Sequence, residues 1–67
     1  SKYKDAWFIA NHYNNVGVYF NRWKRPDSAL YNFSIAEEIV RGLVAKDSAS
    51  LNNRFFLALL MEILARH

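Results

Sequence analysis

Residues 7–20 read WFIANHYNNVGVYF, and the fold class turns on how this stretch is read. Together with its flanks it places Ala6, Ile9, Tyr13, Val16, Phe20 and Trp23 at steps of 3, 4, 3, 4 and 3, the seam of an amphipathic helix. Trp7, Ala10 and Tyr19 widen that stripe. Asn11, Asn14, Asn15 and Asn21 fall on the polar side.

A second reading competes. Asn14 and Asn15 form a turn signal between two short runs, 7–10 and 16–20, that are rich in aromatic and β-branched residues. Those runs do not alternate cleanly, and a lone hairpin is marginal without a third strand. Nothing downstream offers one, so the helix is the preferred reading. A break near 14–17 is allowed for, because Asn, Asn, Val and Gly are poor helix formers.

Working outward, Asp5 sits near the start of this helix, and Arg22, Lys24 and Arg25 near its end, which complements the helix dipole. Pro26 stops it, giving a first helix over about Tyr3 to Lys24. Residues 26–32 then read as a linker. Ser34 followed three residues later by Glu37 has the capping-box form. The following face of Ile35, Ile39, Val40, Leu43 and Val44 predicts a helix over about 35–46.

Asp47, Ser48 and Ser50 are each candidate N-caps for a third helix, read as LNNRFFLALLMEILAR over 51–66. Its apolar residues cover far more than one stripe, and a helix apolar on most sides is usually buried. Two neighbouring helices would struggle to cover it while also burying Trp7, Phe8, Trp23, Tyr31 and Phe33. The expected fold is therefore a small all-α, three-helix domain completed by oligomerisation or by another helical protein. The expected partner interface is Phe55, Phe56, Leu59, Leu60 and Ile63, with Tyr13, Phe20 and Trp23 as an aromatic seam.

The chain's 67 residues fit a single domain. A core of that size rarely supplies more than roughly 3–5 kcal/mol. The absence of cysteine removes disulfides and thiolate zinc sites as remedies. Apolar residues make up 52% of the chain and aromatic residues 16%, which argues against disorder. No apolar run approaches the ~18 residues of a membrane span. No leader is read near the start, where Lys2, Lys4 and Asp5 precede the apolar residues. Together with the lack of cysteine, this sets an expectation of an intracellular location, cytoplasmic or nuclear. A first residue that is Ser, and a last helix without a stop signal, are expected of a piece cut from a longer protein.

Few residues suggest chemistry. His12 lies two helical turns from Asp5, too far for a triad-like hydrogen bond. His12, His67, Asp5, Asp27, Asp47, Glu37, Glu38 and Glu62 show no His-x3-His or Glu-x2-His spacing. No enzymatic role, metal or cofactor is expected. Gly42, inside a good helix, reads either as a point of close helix approach or as a tolerated glycine costing about 1 kcal/mol.

The cluster Arg22, Trp23, Lys24 and Arg25 is the nucleic-acid candidate: cations for phosphates and an aromatic ring for an unpaired base. Lys2 and Lys4 are possible additions to it. The net charge of +3 is too modest to decide the matter. Basic residues also end many helices as dipole partners, and Trp23 falls on the expected core seam. A helix-turn-helix reading fails, because the last helix is too apolar for a major groove. An Asn-rich polar face also argues against a membrane-surface helix. The sequence thus reads as a non-enzymatic helical interaction module, of dimerisation, adaptor or regulatory type. The alternative is a small basic nucleic-acid-binding regulator.

Overall fold

The computed structural model of the chain describes residues 2–66, with side chains from Lys4 onward. They form three helices: α1 (Lys2–Arg22), α2 (Pro26–Lys46) and α3 (Leu51–Ala65). No strand occurs among the described residues, so the chain is all-α and the hairpin reading of 7–20 is overturned. Helix α1 also runs through 14–17 without a break. Asn14, Asn15 and Gly17 are weak helix formers, but packing along α1 outweighs a propensity deficit of about 1 kcal/mol or less per residue.

That packing depends on small residues. Ala10 and Gly17 on α1, and Ala29 and Ala36 on α2, are buried. Each pair is spaced seven apart, so each lies on one face of its helix. They let the two backbones approach, and the ring of Phe33, 1% exposed, fills the space in front of Gly17. The buried face of α1 is therefore centred on Ala10 and Gly17. The expected seam lies to one side of it. Tyr13, Val16 and Phe20 are half-buried at the edge, while Ile9 and Trp23 are exposed. Large side chains at the seam's centre would have held α1 and α2 apart. Asn14, assigned to the polar side, has its Oδ1 fully buried instead.

The expected linker does not exist. α1 ends at Arg22, and Pro26 begins α2, because its missing N–H would have had no helical partner in the first turn. The turn-forming residues that follow are accommodated: Asp27 sits in the first turn, and Asn32 Nδ2 donates to Ser28 O at 2.8 Å. Ser34 is consequently an exposed mid-helix residue rather than a cap. Glu37 pairs with Arg41 at 2.7 Å one turn on. Gly42 faces open space: outside its own stretch of helix backbone, no atom of the described residues lies within 4 Å of where a Cβ would be.

The third helix starts where the serine signal placed it. Ser50 is the N-cap, and its Oγ accepts from the Asn53 backbone N–H at 3.3 Å. Helix α2 lies between the other two helices, and α1 meets α3 where the rings of Trp7 and Phe56 pack at 5.6 Å. The Cα atoms of the described residues span 35 × 22 × 14 Å. Helix α3 thus stands at one edge, packed along α2 and touched by α1 only near Trp7, so part of its circumference stays uncovered.

Candidate functional site

Two surfaces follow from this arrangement. The first is on α3. Of the residues expected to meet a partner, Phe56 (9% exposed) and Leu60 (0%) belong to the chain's own core with Phe33 and Val40, and Ile63 packs half-buried against it. Phe55 (69% exposed) and Leu59 (50%) point the other way. Leu51, Phe55 and Leu59 stand at successive i, i+4 positions, so they line one side of the helix with Ala58 between them. Arg54 precedes Ala58 by four residues and Glu62 follows it by four. Glu62 also accepts from Arg66 at 2.6 Å in an exposed intrahelical pair, an arrangement worth about 0.5 kcal/mol or less. Helix α1 carries exposed Phe8, Tyr19 and Trp23, but His12, Asn15 and Arg22 interrupt that side.

The second surface is the corner between α1 and α2. It is a Schellman closure: the Lys24 N–H donates to Asn21 O at 3.2 Å, and the Arg25 N–H reaches back to Phe20 O at 2.9 Å. Lys24 takes φ = 56°, the one positive φ at a non-glycine among the described residues. That conformation normally selects Gly, and a β-carbon there costs about 1 kcal/mol or more. The closure turns Arg25 back over Phe20. Tyr19, Phe20, Trp23 and Arg25 line an open groove of about 330 Å³. Tyr19 and Trp23 are 56% and 66% exposed, with ring centroids 6.2 Å apart and planes at 57°. Arg22, Lys24 and Arg25 are all exposed beside them. Trp23 therefore leaves the core seam where its spacing placed it, because the seam runs past the last turn of α1 that α2 covers. Tyr19 is the site residue that sequence reasoning missed. Its step of four to Trp23 was the available signal.

A third groove, of about 340 Å³, lies between the start of α1 and the start of α3, lined by Lys4, Trp7, Phe8, Ser50, Asn52 and Asn53. Trp7 Nε1 is buried with no hydrogen-bond partner among the described residues. His67 and the Lys2 side chain lie outside the described residues. Among those described, no three His, Asp or Glu side chains come together as a metal site would need. No described helix is long and apolar enough to cross a membrane.

Comparison with protein-family models, with curated proteins and with solved structures gave no match.

Proposed function

We propose that this chain is a helical protein–protein interaction module, and that its partner is a second copy packed α3 against α3. The reading rests on one observation: Phe55 projects outward from the edge helix while its neighbour Phe56 fills the core. The outward face is continuous from Leu51 to Leu59, and contiguous apolar surface of this kind marks association sites.

A second copy fits because the face is complementary to itself. In an antiparallel pair crossing at Ala58, each Arg54 comes level with the partner's Glu62, and the small side chain of Ala58 permits close approach. Phe55 then meets the partner's Leu59 across the crossing, and Leu51 comes level with the partner's Ala65. Isologous contacts of this form are the commonest in homo-oligomers.

Sedimentation across micromolar concentrations tests the proposal. The wild-type chain is expected to dimerise. Arg54→Glu and Glu62→Arg are each expected to weaken the dimer, and the double exchange is expected to restore it. A folded wild-type monomer throughout that range would rule the dimer out. Leu60 is unsuitable for this test, since it is fully buried inside the chain and its substitution would destabilise the monomer itself.

A further inference from the structure

We infer that the α1–α2 corner is a binding site for single-stranded nucleic acid, with a base stacked on Trp23 against the side wall of Tyr19 and neighbouring phosphates held by Arg22, Lys24 and Arg25. This site is separate from the α3 face and does not depend on it.

Trp23 carries the argument. A tryptophan is among the most favourable side chains to bury, yet this one is 66% exposed at the rim of a groove it shares with Tyr19 and Arg25. The two rings meet at 57°, so they cannot clamp a base between parallel faces. They instead offer the face of Trp23 as a platform with Tyr19 as its side wall. A groove of about 330 Å³ is at the lower end of small-ligand pockets.

Lys24 supplies an independent observation. At φ = 56° a glycine would relieve the strain. The lysine keeps a third cation within one turn of Arg22 and Arg25, and strain retained at one position is the kind of outlier from which function is inferred. A dipole-partner role alone does not require a lysine in this conformation, since Arg22 already occupies the last turn of α1.

The chemistry favours a single strand over the alternatives. A stacking platform needs an unpaired base, which a duplex does not present. The phosphate track stays on the α1 side of the corner, because Asp27 in the first turn of α2 repels phosphates there. Cations gathered at one corner, rather than spread along a helix face, are poorly placed for an anionic bilayer. An acidic peptide would use the cations but not the stacking surface.

The test is fluorescence anisotropy of the full chain with a labelled oligothymidylate of about twelve nucleotides. Binding is expected at about 50 mM salt and is expected to weaken roughly tenfold or more by about 200 mM, as for some three neutralised phosphates. Trp23→Ala and Arg25→Ala are each expected to reduce affinity roughly tenfold. Lys24→Gly is expected to raise thermal stability while weakening binding. All three positions are exposed, so circular dichroism should show the helices intact. Four results would overturn the proposal: no binding at low salt, equal affinity for a duplex of the same length, unchanged affinity in Trp23→Ala, or preferential binding to phosphatidylserine vesicles or polyglutamate.

Discussion

The ring of Phe33 lies so close to Gly17 that a methyl group built on that glycine would sit 2.6 Å from Phe33 Cε1 and 2.7 Å from Cδ1. This contact sets how closely α1 and α2 pack. Gly17→Ala gains about 1 kcal/mol of helix propensity, but the ring, 1% exposed, has no room to retreat. Overpacking in such a site costs about 1–3 kcal/mol, so a net loss of stability is expected. Chemical denaturation of Gly17→Ala checks the sign. Adding Phe33→Leu should recover part of the Gly17→Ala loss if the ring is its cause.

Gly42 supplies the opposite case. Open space surrounds the place where its Cβ would be, and the residue sits well inside α2. Gly42→Ala is expected to raise stability by up to about 1 kcal/mol, seen as a higher denaturation midpoint with an unchanged slope.

Ser50 holds the first turn of α3 through its bond from the Asn53 N–H. Ser50→Ala is expected to cost about 1 kcal/mol, and Ser50→Asp is expected to retain most of it. Ser34→Ala, at the exposed site that only resembles a cap, is expected to change stability by less than about 0.5 kcal/mol.

Adjacent residues on α3 should separate folding from association. Leu60→Ala removes a fully buried side chain and is expected to cost about 2–5 kcal/mol. Leu59→Ala, at a half-exposed position, is expected to leave the unfolding free energy of the monomer nearly unchanged while shifting the sedimentation equilibrium toward monomer. Equal effects of the two substitutions on folding would mean that the outward face of α3 is not free.

Lys24→Gly is expected to stabilise the monomer by about 1 kcal/mol, by removing a β-carbon from the left-handed position of the Schellman closure. Thermal unfolding at matched protein concentration measures it.

The sequence alone determined the helical class, the third helix with its serine cap, the surplus of apolar residues on that helix and the basic cluster beside Pro26. These are local or compositional properties, carried by periodicity, capping chemistry and the 3.6-residue turn. It misplaced the start of α2, because Pro26, Asp27, Ser28 and Asn32 are turn formers one by one and become helical only where Pro takes the first position and α1 covers the next two turns. Tertiary structure alone decided which side of α1 faces inward. The largest apolar residues drew the seam through Ile9 and Trp23, whereas close packing favoured Ala10 and Gly17, where two backbones can meet around Phe33. The same choice divided Phe56 from Phe55 and turned Trp23 outward beside its cations. Burial in a three-helix domain depends on which neighbour lies across from a residue, and that information is not carried by the residue's own periodicity.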